Sequence, residues 1–247
     1  MINFLISIFP TRLYLELKWF DFKFNRKQHF LAIQERRKRE TTEWSSYKPF
    51  DDKKAIFVHV PKCAGISVNK ALFGNLAGGH TTLEQYLNIY EPKNILSYFK
   101  FTIVRNPWDR VVSAYHFLKQ GGLNKWDQEF FQKELAAFDS FEDFVKGWLI
   151  HPENINKHHH FQVQCHYILD KRNKVHLDFI GYLENIDEDF EYICNKIKIQ
   201  ATLPNSNKSN RNNYQDYYSD ETKAVVAEAY KQDIELLGYD FMNSRFN

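Results

Sequence analysis

The stretch Pro61-Lys62-Cys63-Ala64-Gly65-Ile66-Ser67 combines a cation, small residues and a hydroxyl at short spacing. Such a turn can hold a phosphate-type or sulfate-type anion. The lysine supplies charge and the small residues let backbone N–H groups approach. A hydroxyl at a helix start adds a donor where the helix dipole favours negative charge. A second group lies further on, in Arg105-Asn-Pro-Trp-Asp-Arg-Val-Val-Ser113. Asn106 suits an N-cap, Pro107 a first helical residue and Asp109 the first turn. Ser113 follows Asn106 by seven residues, close to two helical turns, so it can reach the same ligand as Arg105.

The elements that must position these groups are legible around them. Ala55 to Val60 has the length and β-branched content of a buried strand, and Ile66 to Phe73 has helical spacing. Tyr98 to Val104 reads as a second strand, which places Arg105 at a strand's carboxyl end. Leu177 to Leu183 reads as a third, followed by a helix over Ile186 to Lys196. Helical patterns also cover residues 28–43, 161–169 and 220–237, and residues 116–160 are expected to be helices rich in Phe and Trp. Strands alternating with helices predict an α/β domain with a parallel sheet.

At 247 residues the chain suits one large domain with a sizeable core. Its 33 basic and 31 acidic residues leave a net charge of +2, so no global field argues for nucleic acid and anion binding must come from local clusters. Three cysteines, Cys63, Cys165 and Cys194, suggest neither a disulfide framework nor a zinc ribbon, which points to a reducing compartment. Ile2 to Phe9 is too short an apolar run to span a bilayer, which needs about 20 residues, and it lacks the flanks of a signal peptide. Residues 1–40 mix aromatic groups with Lys23, Arg26, Lys27 and Arg36-Arg-Lys-Arg39, a composition suited either to an anionic membrane surface or to a helix that packs on the domain.

Taken together, Pro61-Lys-Cys-Ala-Gly-Ile-Ser67 and Arg105-Asn-Pro-Trp-Asp-Arg-Val-Val-Ser113 resemble the sulfotransferase family 2 group. These are carbohydrate sulfotransferases that use 3'-phosphoadenosine 5'-phosphosulfate (PAPS). The likeness covers roughly residues 53–241 and includes Asp178-Phe-Ile-Gly-Tyr-Leu-Glu184 and Leu237-Gly-Tyr-Asp-Phe241. It implies a three-layer fold of the P-loop nucleotide-binding type with a central parallel sheet. Residues 53–247 would form the sulfotransferase domain and residues 1–52 a helical, basic extension. By the resemblance, Lys62, Cys63, Ala64, Gly65, Ile66 and Ser67 form the 5'-phosphosulfate loop, and Arg105 with Ser113 holds the 3'-phosphate. Lys208 and Arg211, in the polar loop after Leu203-Pro204, are further candidates to close over the nucleotide.

Sulfuryl transfer to an alcohol needs a cation for the charge that builds on the leaving oxygen, and Lys62 is the natural one. No metal is required. A Walker A site would place its lysine after a second glycine, so a kinase or NTPase is disfavoured. A non-catalytic protein that keeps the nucleotide fold is the alternative from another class. The acceptor hydroxyl needs a base titrating near neutrality. His80, in a segment similar to that holding the base of uronyl 2-O-sulfotransferases, is the candidate, with a helix cap as the plainer reading. His158-His-His160 with Cys165 and His166 has metal-ligating types, but a consecutive run is not expected to face one ion. An exposed, acceptor-facing helix end is expected instead. The expected acceptor is a saccharide or other hydroxyl compound. The expected location is the cytoplasm, with membrane association through residues 1–40, or the Golgi membrane if the source is eukaryotic.

Overall fold

The computed structural model describes residues 9–39, 46–204 and 213–246. The first strand, β1, spans Ala55–Val58 with all four residues buried. β2 spans Phe99–Val104 and β3 Phe179–Tyr182, in a sheet of order β1-β2-β3. β1 and β2 run parallel, with Ala55 opposite Phe99 and Val58 opposite Thr102. The Thr102 hydroxyl donates to the Val58 carbonyl at 2.7 Å, so a polar residue with no exposure is satisfied inside the sheet. The near-continuous burial of β1 and β2 is that of parallel strands covered by helices on both faces. The fold is therefore α/β, a small parallel sheet flanked by helices, as expected. Each strand is shorter than its apolar run: β1 ends at Val58, although His59 and Val60 after it are also buried.

By contacts the chain falls into two compact units. One comprises the described parts of Met1–Val60, Ala64–Ile103 and His166–Asn207. It begins with helix α1, Thr11–Asn25, followed by Lys27–Lys38, shorter than the 28–43 pattern; residues 40–45 lie outside the described ones. Arg37 from the basic run is not solvated. Its Nε and Nη2 donate to the two Asp51 carboxylate oxygens at 2.6 and 2.8 Å, and its Nη1 to Glu91 at 2.7 Å. The unit also holds α2, Gly65–Phe73, which ends at Gly74 in the left-handed region. Thr82 caps the helix Leu83–Ile89 through a full capping box with Gln85.

The other unit comprises Pro61–Cys63, Val104–Cys165 and the described parts of Lys208–Asn247. Its spine is α3, Pro107–Lys119, started by Asn106, whose side chain accepts from the Trp108 N–H at 3.0 Å. Residues 125–149 follow as short helices that widen into single π turns at Phe131–Leu135 and Val145–Leu149. Val112, Leu118, Phe144, Phe161 and Tyr230 meet in its core. Two sequence expectations are corrected. The helix expected over 161–169 is only Cys165–Ile168, because the main-chain N–H groups of Gln164 and Cys165 bind the buried Asp233 carboxylate. The helix expected over 220–237 divides into Asp220–Ala229 and Lys231–Leu237 at Tyr230. Tyr230 is fully buried and donates its hydroxyl to the Phe161 carbonyl at 2.7 Å, a tertiary bond that outweighs helical continuity.

Candidate active site

After β1 the chain turns through two non-glycine residues in the left-handed region, Lys62 at φ 68° and Ala64 at φ 57°. Each costs about 1 kcal/mol or more, a strain that persists where surrounding contacts impose it. Ala64 precedes α2 and offers no side-chain cap, and the start of a helix is where the N–H groups and the dipole favour an anion. Gly65 is required by close approach: a Cβ there would stand 1.8 Å from Cδ2 of His59. Ser67 lies in the first turn, 5% exposed.

In the unit built on α3, two arginines fix the turn. Arg105 Nη1 donates to the Lys62 carbonyl at 3.1 Å, and Arg110 Nε donates to the Pro61 carbonyl at 3.0 Å. Asp109, one turn on, accepts from Arg105 Nε at 2.7 Å and so orients the guanidinium. The Cys63 thiol is buried and donates to Gln164 Oε1 at 3.4 Å. The Lys62 ammonium stands over the Phe117 ring, 3.6 Å from its centroid. Burial pushes its pKa down to about 7, the Arg105 charge adds to that, and Asp127 opposes it. This is a cation held at the edge of deprotonation, with an anion as the partner that would restore it.

In the other unit, His80 Nδ1 lies 3.1 Å from the His59 carbonyl. A carbonyl only accepts, so Nδ1 carries the proton and Nε2 is the basic nitrogen, the tautomer that a general base needs. The His59 and His80 rings are 4.3 Å apart, and His59, 3% exposed, stacks on Phe57.

The predicted residues thus fall into two groups. Lys62, Cys63 and Arg105 come together in one unit, with Ser113 half-buried on α3, two turns from Asn106. Ala64, Gly65, Ile66, Ser67 and His80 belong to the other. Lys208 and Arg211 lie outside the described residues. Arg110, Phe117 and Gln164 went unrecognised in the sequence. Arg110 stands inside the second motif, and its placement five residues after Arg105 was the available signal.

The histidine run departs from expectation. His158 and His160 are buried, not an exposed helix end, and one ring nitrogen from each of His158, His159 and His160 lies within 4.8 Å of the others. The cause is aromatic packing: Trp126 stacks on His158 and His159 at interplanar angles of 16° and 11°. Burial pushes His158 down to about 4 against the pull of Asp127, whose Oδ1 is 3.2 Å from its Nε2, so the imidazole is neutral at pH 7.

Comparison with known proteins bears on these motifs. The model of the sulfotransferase family matches residues 45–240. An uncharacterised protein of Archaeoglobus fulgidus is 34% identical over 108 residues, 43% of this chain and 72% of that one. Carbohydrate sulfotransferase 11 of Rattus norvegicus and that of Mus musculus are each 29% identical over 190 residues, 66% of this chain and 53% of theirs. The chain therefore spans about half the length of these two sulfotransferases. No solved structure matches it. With both motifs inside a family match that takes in most of the sequence, the chain belongs to the sulfotransferase family.

Proposed function

We propose that the protein transfers a sulfuryl group from PAPS to a hydroxyl of a saccharide, releasing 3'-phosphoadenosine 5'-phosphate (PAP). The observation that carries this reading is the contact of Arg105 with the Lys62 carbonyl, which brings one residue of each motif together within one unit. In the proposed step the acceptor oxygen forms a bond to sulfur as the bond from sulfur to the bridging phosphate oxygen breaks. The electron pair leaves on that oxygen, where Lys62 and the first N–H groups of α2 neutralise it. The acceptor proton passes to His80 Nε2, a role supported by the tautomer that the His59 carbonyl selects. Arg105 and Ser113 take the 3'-phosphate, and Lys208 and Arg211 close over the nucleotide. Charge neutralisation comes from side chains and main chain, so the proposed chemistry calls on no metal.

A saccharide acceptor is supported by the name of the mammalian relatives and by a cleft of about 470 Å³ lined by Trp126, Glu129, Phe130, Lys133, Glu134 and Lys157. An exposed indole with a polar rim suits a sugar ring. Residues 53–247 are taken as the transfer domain and 1–52 as its extension. Among the described residues no helix is long and apolar enough to cross a membrane. Leu13, Phe20 and Phe24 are exposed along α1 close to Arg12 and Arg26, which supports a peripheral contact with an anionic membrane surface. The function is tested by incubating the protein with PAPS and a glycan panel in the presence of a chelator. PAP release that depends on an acceptor supports it. Magnesium-dependent ATP turnover with no PAP release would overturn it.

A further inference from the structure

Gln164 lies in a stretch without a recognisable motif, yet it occupies the junction of the Lys62 and Arg105 segments. Its side chain has no exposure. Oε1 accepts from the Arg105 N–H at 2.9 Å, and Nε2 donates to the Arg105 carbonyl at 2.8 Å. One group must accept and the other must donate, so the amide orientation is fixed by its partners. Oε1 also accepts from Cys63 Sγ at 3.4 Å, beside Lys62. The glutamine is itself held from behind. The fully buried Asp233 carboxylate accepts from the Gln164 N–H at 2.7 Å and the Cys165 N–H at 2.8 Å. A single primary amide therefore continues the hydrogen bonding of β2 by one residue and ties that residue to the turn.

We propose that Gln164 is a positioning residue that sets where Arg105 stands relative to Lys62, and thereby gives the protein its preference for a 3'-phosphorylated nucleotide. The inference rests on the sulfuryl-transfer reading. Its physical basis is that the Arg105 guanidinium is aimed by two constraints. Asp109 fixes its tip, and Gln164 fixes the main chain from which it springs. Removing the amide leaves the part-buried N–H and carbonyl of Arg105 without those partners. The strand end must then shift to recover them. A displacement of that kind harms a site built on fixed charge positions far more than it harms packing.

The test is calorimetric binding of PAP and of adenosine 5'-phosphate to the wild type, Gln164→Met and Gln164→Glu. Gln164→Met keeps the volume and removes both bonds. Gln164→Glu keeps an acceptor for the Arg105 N–H and removes the donor to its carbonyl, and it carries the test should the Met variant not fold. We expect PAP affinity to fall on the order of tenfold while adenosine 5'-phosphate affinity changes less than about twofold. In an Arg105→Ala background, Gln164→Met should cause no further loss of PAP affinity. Equal losses for both nucleotides, or full additivity with Arg105→Ala, would assign Gln164 to general packing and overturn the inference. A wild type that does not distinguish the two nucleotides would instead overturn the sulfuryl-transfer reading itself.

Discussion

The ammonium of Lys62 stands 3.6 Å from the centroid of the Phe117 ring, and burial brings its pKa down to about 7. The nucleotide-free protein therefore holds a partly uncharged lysine at neutral pH, and a polyanion that binds there raises the pKa again. Binding then favours the protonated form. Affinity for PAP should be greatest below about pH 7 and fall as pH rises through the range between the free and bound values. At about pH 8, binding should take up close to one proton, read from how the calorimetric enthalpy varies with the ionisation heat of the buffer. Lys62→Met should abolish the uptake. An affinity independent of pH across this range would contradict the assignment.

Gly65 faces the His59 ring so closely that a methyl group would stand 1.8 Å from it. Gly65→Ala should displace the ring or the turn, costing about 1–3 kcal/mol of stability in denaturant titration and weakening PAP binding. An unchanged midpoint would show that the ring moves aside freely.

Asn106 is a cap and a bracket at once. It accepts from the Trp108 N–H at 3.0 Å and donates to the Asp240 carbonyl at 2.8 Å, with no exposure. Asn106→Ala should lose the cap and deprive the carbonyl of that donor, a combined cost of about 2–4 kcal/mol. A loss below about 0.5 kcal/mol would mean that neither bond contributes to the folded state.

His80 receives its tautomer from the His59 carbonyl. His80→Ala should lower turnover by roughly 10²–10⁴-fold while leaving PAP affinity near that of the wild type. Full turnover in the variant would remove His80 from the reaction and leave it as part of the turn that precedes the Thr82 cap.

What the sequence disclosed and what it hid have separate physical causes. Strand, turn and cap signals are local, so β1, β2 and the Asn106–Pro107 helix start could all be read from adjacent residues. The two motifs that carry Lys62 and Arg105 were legible for the same reason: their residues are neighbours in the chain. The contacts that orient these groups are not local. Gln164 reaches Arg105 across 59 positions and Asp233 reaches Gln164 across 69, and no spacing rule announces either. The break at Tyr230 follows from a bond to Phe161, 69 residues away, and overrides a periodicity that reads as one helix. His158 to His160 read as exposed because histidine is polar, whereas Trp126 and Phe130 make an aromatic stack that draws His158 inside.

The most direct test of the central claim is transfer of radioactive sulfate from labelled PAPS to a glycan panel, run with the wild type and with Lys62→Ala. The account predicts label in at least one saccharide with stoichiometric PAP, and loss of transfer in Lys62→Ala. PAP binding without label in any saccharide, or transfer undiminished in Lys62→Ala, would contradict it.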